Sequence, residues 1–179
     1  MADKDQVESI LRQQGYHDYK WLDPWEIVVA EWVRMKCEFG CPSYGKVASC
    51  PPNNPSVEEC RRFFSEYKRA LVLHFQMIAP EKAERKTWSA RTNLKLIKLE
   101  REVFLAGFHK AFLLIMDSCE LCAECVPDRV RCKEPRLSRP SPEGMSVDVF
   151  TTVRKVGYPI EVLTDPNQTM NRYAFLMVE

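Results

Sequence analysis

The sequence predicts an α/β fold: a small mixed sheet with flanking helices, interrupted by two cysteine-rich loops. Three observations carry that expectation. Two apolar runs of strand length, "RALVLHFQM" and "KAFLLIM" at 110–116, bracket a long segment whose apolar residues recur at helical spacing. Strand, helix and strand in that order suggest a parallel crossover unit. The eight cysteines fall into two groups of four, with 58 residues between the groups. The chain has 179 residues and is 45% apolar. That is enough to bury one core, so residues 1–179 are expected to form a single domain.

Taken in order, "DKDQVESILRQQG" reads as a short amphipathic helix over 3–14. Val7, Ile10, Leu11 and Gln14 share a face, and Gly15 is the stop. "KWLDPWEIVVAEWVRMKC" is ambiguous, since Asp23-Pro24 could open a helix while "EIVVAEWV" suits a strand equally well. The density of Gly, Pro, Ser and Asn from Cys37 onward predicts a loop over 37–60. Near its end Ser56 and Glu59 fit a capping box, opening a helix to about Arg69 with Val57, Cys60, Phe64 and Tyr67 on one face. The long helix between the two strands ends at Gly107, burying Leu96, Leu99, Val103 and Ala106. The second cysteine loop, 119–132, leaves directly from the second strand, at the kind of edge where α/β proteins build sites. Ser141-Pro142-Glu143 then has the form of a helix start, predicting a helix to Val156 that stops at Gly157. "YPIEVLT" and "RYAFLMVE" are expected as closing strands.

Net charge is +1, from 26 basic and 25 acidic residues, which gives no reason to expect nucleic acid or an anionic membrane as partner. No apolar run approaches the ~18 residues a membrane span needs, and "MADKDQVESILRQQGY" lacks the apolar region of a secretory signal. A cytoplasmic location is therefore expected, and a reducing cytosol argues against a disulfide framework. Clustered thiols then read as metal ligands.

The second group, Cys119, Cys122, Cys125 and Cys132, has the spacing C-x2-C-x2-C-x6-C. Zinc favours paired knuckles set a dozen or more residues apart, whereas three cysteines at successive two-residue gaps open the bacterial ferredoxin motif that wraps a [4Fe–4S] cubane. The first group, Cys37, Cys41, Cys50 and Cys60, has the spacing C-x3-C-x8-C-x9-C, with Cys-Pro dipeptides at Cys41 and Cys50. Cys60 is open to two readings, as a fourth ligand or as a small buried hydrophobe on its helix. If it is not a ligand, one iron of the first cluster has no cysteine. Two [4Fe–4S] clusters are expected, or one, with structural zinc as the alternative. Arg34, Lys36 and Lys46 flank the first group, and Arg129, Arg131, Lys133, Arg136 and Arg139 the second. They could offset the negative charge of a four-thiolate cubane or simply be solvated.

"WVRMKCEFGCPSYGKVASCPPNNPSVEECRRFFSEY" and "CELCAECVPDRVRCKEPRLSRPSPEGMSVDVFTTVRKVG" resemble the cysteine-rich "predicted metal-binding protein" family, domain of unknown function 2284, of anaerobic prokaryotes. The resemblance covers most of the chain and implies metal or iron–sulfur binding; it carries no established reaction. The family often reads Arg-Pro-Ser-x-Glu-Ala-Cys-Gly-Ile-Asp-Val where this chain has "RPSPEGMSVDV", so Met145 stands at a common extra cysteine. That departure favours Cys119 to Cys132 as a complete ligand set.

His74 and His109 are expected as structural histidines, Asp148 as an exposed helix residue, and Trp21, Trp25 and Trp32 as core or as cover for the first loop. No nucleotide-binding or hydrolase motif is present. The leading expectation is an iron–sulfur protein that passes single electrons to or from a partner metalloenzyme. The alternatives are an enzyme or maturation factor with an open-site cluster, and a zinc-stabilised interaction module.

Overall fold

A computed structural model describes residues 2–179. Helix α1 (Ala2–Gln13) precedes strand β1 (Tyr19–Leu22). A short 3-10 turn at Pro24–Glu26 leads to α2 (Glu31–Gly40), and α3 (Val57–Ser65) follows the first cysteine segment. Then come β2 (Ala70–Met77), α4 (Lys82–Leu105), β3 (Phe112–Leu114), α5 (Val149–Lys155) and β4 (Met170–Met177).

The four strands form one sheet in the order β1-β2-β4-β3, with every neighbouring pair antiparallel. The α/β class holds, and so does the strand–helix–strand crossover. Its two strands, however, are not neighbours. β2 and β3 run in the same direction, and β4 lies between them, pairing from Ala70↔Met177 to Met77↔Met170 on one side and from Phe112↔Met177 to Leu114↔Phe175 on the other. The parallel relation of β2 and β3 is thus indirect.

Alternation along β2 and β4 divides the core in two. Ala70, Val72, Tyr173, Phe175 and Met177 face one side, where they meet Cys60 and Phe64 of α3 and Val149 and Val153 of α5. Leu71, Leu73, Ala174 and Leu176 face the other, against Val7 and Leu11 of α1 and Leu96, Leu99 and Val103 of α4. Helices therefore cover both faces, which is why these strands read as continuous apolar runs.

Four sequence expectations differ from the structure. The helix drawn from Ser141 begins only at Val149. Ser141 Oγ instead accepts from Gly144 N (3.1 Å), Ser146 sits at φ +61°, and Val147 pairs with Val29 in an isolated bridge. Asp148 caps α5, accepting from Thr151 N (3.0 Å) and Thr151 Oγ1 (2.6 Å), and is buried where exposure was expected. "YPIEVLT" forms no strand: β2 and β3 already occupy both edges of β4, and Pro159 has no N–H to offer. Tyr158 and Ile160 pack into the core instead. Finally, α2 runs on to Gly40, so Cys37 is helical and the first loop starts at Cys41. Among the described residues, no helix is long and apolar enough to cross a membrane.

Candidate metal centre

Cys37 lies in the last turn of α2, and Cys41 N donates back to Cys37 O (3.3 Å). This i,i+4 pair stacks two thiols on one helix end. The chain then folds through successive turns. Gly45 N donates to Pro51 O (2.9 Å), which needs the left-handed backbone at Gly45 (φ +65°), and Cys50 N donates to Val47 O (2.9 Å). The loop closes on itself and brings Cys50 back toward Cys41.

The second loop leaves β3 at Asp117, which adopts φ +55° and is held by Ser89 Oγ (2.5 Å) and by an ion pair with Arg172 of β4 (2.9 Å). Beyond it Asp128 organises a turn, accepting from Val130 N (2.8 Å), and Lys133 Nζ donates to Glu124 O (3.1 Å). Asn53 joins the two loops: its Nδ2 donates to Pro127 O at 2.7 Å.

The thiols gather around this junction. Burial pushes the Cys50 thiol up to about 12, and the charges of Cys41 and Cys37, then of Cys119 and Cys125, add to it. Cys37 is raised by burial, then by Cys41 and Glu143, with Arg34 opposing. Cys122 is raised by withdrawal from water and by Cys125, Cys119 and Cys132, with Lys133 opposing. Seven of the eight cysteines are therefore linked as electrostatic neighbours, and Cys50 bridges the two groups. Cys60 stands apart: it is 0% exposed, packed in the core on α3, with its Sγ 3.6 Å from Pro55 O. Its thiol is raised by burial, Arg34 opposing, with no cysteine among the causes.

This donor set suits a thiophilic metal or cluster. Several thiolates crowded together repel one another, and a cationic core among them reverses that repulsion. The thiols are gathered but not closed: among the described residues, no three Cys, His, Asp or Glu side chains converge to hold a metal ion.

Two residues that the sequence placed only as a flanking charge and as part of a helix start, Arg34 and Glu143, shape this neighbourhood. Arg34, one turn before Cys37, donates to Pro55 O (2.8 Å), Gly144 O (3.2 Å) and Ser146 Oγ (3.0 Å), pinning α2 to the 141–147 turn and to the entry of α3. That turn carries Glu143, which lines a hollow of about 430 Å3 together with Cys37, Cys41, Trp32 and Phe150. The Glu143 side chain is open to this hollow yet crowded by protein elsewhere. That loss of water raises its carboxyl, Asp117 adds to the effect, and Ser141 and Arg172 oppose it. Only the folded turn reveals Glu143, because its place depends on contacts about a hundred residues apart in the chain.

The remaining candidates are structural or exposed. His74 is buried between Tyr158 and Tyr173, its ring nitrogens 2.7 Å from Asp18 Oδ2 and 2.8 Å from Asn171 Oδ1. His109 and Trp25 are exposed, Trp21 is half-buried in the α1–α4 core, and Trp32 borders the hollow beside Cys37. Of the flanking basic residues, Arg139 is not a surface charge: it pairs with the buried Glu100 at 2.8 Å.

Fold and site together define a cysteine-rich α/β protein with the donor set of a metal-binding protein. The family model described as "Predicted metal-binding protein", domain of unknown function 2284, matches residues 20–178, and the chain belongs to that family. No curated protein and no solved structure matches the chain.

Proposed function

We propose that this protein is a cytoplasmic iron–sulfur protein with two [4Fe–4S] clusters that exchanges single electrons with a partner metalloenzyme. The observation that carries the reading is the placement of Cys50 beside Cys41 and Cys37 on one side and Cys119 and Cys125 on the other. Two centres held by loops that meet at Asn53 and Pro127 would be placed to share electrons, and each cluster, when bound, supplies a one-electron couple. Cys119, Cys122, Cys125 and Cys132 would hold one cluster; Cys37, Cys41 and Cys50 would hold the other. The Asn53–Pro127 hydrogen bond fixes the loops against each other, and the Arg34 pin keeps Cys37 in register with them.

A second reading is favoured by the burial of Cys60 in the core, away from the other thiols. A first centre with three cysteines leaves one iron without a thiolate, and the hollow lined by Cys37, Cys41 and Glu143 gives a small molecule a path to it. On this reading the protein is an enzyme or maturation factor.

Anaerobic purification followed by iron, acid-labile sulfide and zinc analysis tests both. About eight irons and eight sulfides per chain are expected for two cubanes, and about four of each for one. Zinc without sulfide overturns both readings and leaves a zinc-stabilised module. With the clusters present, an electron paramagnetic resonance spectrum that changes when small thiols or cyanide are added supports the open site, and an unchanged one supports the relay.

A further inference from the structure

A separate cavity of about 270 Å3 lies between the two loops. Its polar wall comes from both: Ser49 and Asn54 from the first, Arg129 from the second, and Ser138 and Arg139 from the segment that follows the second. Ser49 is 6% exposed and Ser138 4% exposed, and neither hydroxyl has a hydrogen-bond partner. Asn54 Nδ2 is also buried and unpartnered. Buried donors are rarely left unmade, so three of them around one cavity mark a place for an acceptor.

The charge around the cavity sets the sign of that acceptor. Among the described residues no carboxylate lines it. Arg139 is neutralised by Glu100, but among the described residues Arg129 has no ion-pair partner and donates to Pro135 O (3.0 Å). The cavity therefore keeps one uncompensated positive charge. Its other wall is Phe63, Phe112 and Met145, which offer nothing to a bare inorganic ion and much to an apolar body.

We propose that this cavity binds a small organic carboxylate, its oxygens accepting from Ser49 Oγ, Ser138 Oγ and Asn54 Nδ2 beside Arg129, and its apolar body resting on Phe63, Phe112 and Met145. Because donors come from both loops, the ligand ties them together where Asn53 and Pro127 already meet. The metal loops thereby acquire a small-molecule sensor or substrate site, independent of which metal they hold.

The test titrates benzoate, and the smaller butyrate, into the full-length purified protein by calorimetry and thermal melting. Inorganic phosphate and benzyl alcohol are the comparisons. At least one carboxylate is expected to bind saturably at one per chain and to raise the melting temperature. Benzyl alcohol, which lacks the charge, is expected to bind more than about tenfold more weakly, and Ser138→Ala and Arg129→Met to weaken carboxylate binding about tenfold each. Arg129 is exposed, so its variant keeps the wild-type melting temperature and reads binding alone. The proposal is overturned if neither carboxylate binds at millimolar concentration, leaving water as the occupant. It is also overturned if benzyl alcohol binds equally, if phosphate binds better than both carboxylates, or if the two variants bind like wild type.

Discussion

Replacing Cys60 by alanine and by serine asks one pair of variants whether this thiol is core or ligand. In the structure it is fully buried on α3, in the cluster that also holds Leu22, Phe64 and Met145. Alanine removes one buried sulfur and no polar group, a loss close to that of a methylene, about 1 kcal/mol. Serine also fills less space than the thiol and in addition buries a hydroxyl, at a cost of about 1–3 kcal/mol. The nearest acceptor, Pro55 O, is 3.6 Å from Sγ, and the shorter C–O bond draws the oxygen no nearer, so little of that cost is recovered. Serine is therefore expected to be the more damaging variant. For a chain of this length each kcal/mol lowers the melting temperature by about 2–4 °C, giving about 2–4 °C for alanine and about 2–12 °C for serine. Iron and sulfide content are expected to match wild type in both. A metal ligand behaves in the reverse order, because a serine oxygen can still coordinate and alanine cannot. Loss of iron in both variants, with alanine the worse, refutes the core assignment.

Three further outcomes follow from other parts of the fold. Gly144→Ala places a Cβ 2.6 Å from Asn54 Nδ2 and 3.3 Å from Ser141 O, so the buried Asn54 amide has to move and the 141–147 turn to give slightly. A loss of about 1–3 kcal/mol in urea unfolding is expected, and an unchanged midpoint and slope argue against the tight turn. Arg139→Met strands the buried Glu100 carboxylate, which then keeps only Leu113 N as donor (3.0 Å); a loss of about 3–5 kcal/mol is expected, and Glu100→Gln in the same chain should recover part of it. Tyr16, Tyr67 and Tyr173 are each pushed up to about 12, with burial the largest cause. The unfolded chain loses these protons near pH 10, so their contribution is intact below that and is lost as pH rises from about 10 to 12. Phenolate absorbance equivalent to all six tyrosines rising near pH 10, with ellipticity unchanged, contradicts that burial.

What the sequence could show was local chemistry. The capping box at Ser56 and Glu59 is formed in both halves, with Glu59 N donating to Ser56 Oγ (3.3 Å) and Ser56 N to Glu59 Oε2 (2.8 Å). It was legible because each partner lies three residues from the other. Ser141 has the form of a helix start, and local pattern could not show that the chain passes over it and caps at Asp148 instead. The choice is made by Val147 pairing with Val29 and by Arg34 reaching Gly144 and Ser146, contacts formed only in the folded chain. The position of β4 was hidden for the same reason: its apolar run predicts a strand, but nothing in the run says that it enters between β2 and β3. The cysteine spacings were readable group by group. Their meeting at Cys50 was not, nor were the unpartnered Ser49 and Ser138, since each depends on the approach of two loops about seventy residues apart.

The insertion of β4 also imposes an order of assembly. Both cysteine segments precede it in the chain, and until it is made β2 and β3 share no edge. The exit of β3, from which the second loop departs, is then tied to the half of the molecule that carries α2 and α3 only by side-chain contacts such as Phe63 with Phe112 and Asn53 with Pro127. During synthesis the two thiol groups are expected to stay on loosely tethered segments until the last strand enters the middle of the sheet. Long-range pairing of this kind is slow compared with helix formation. Metal loading is thereby timed by the fold itself: a nascent chain presents scattered cysteines, and only a completed sheet presents a joined site.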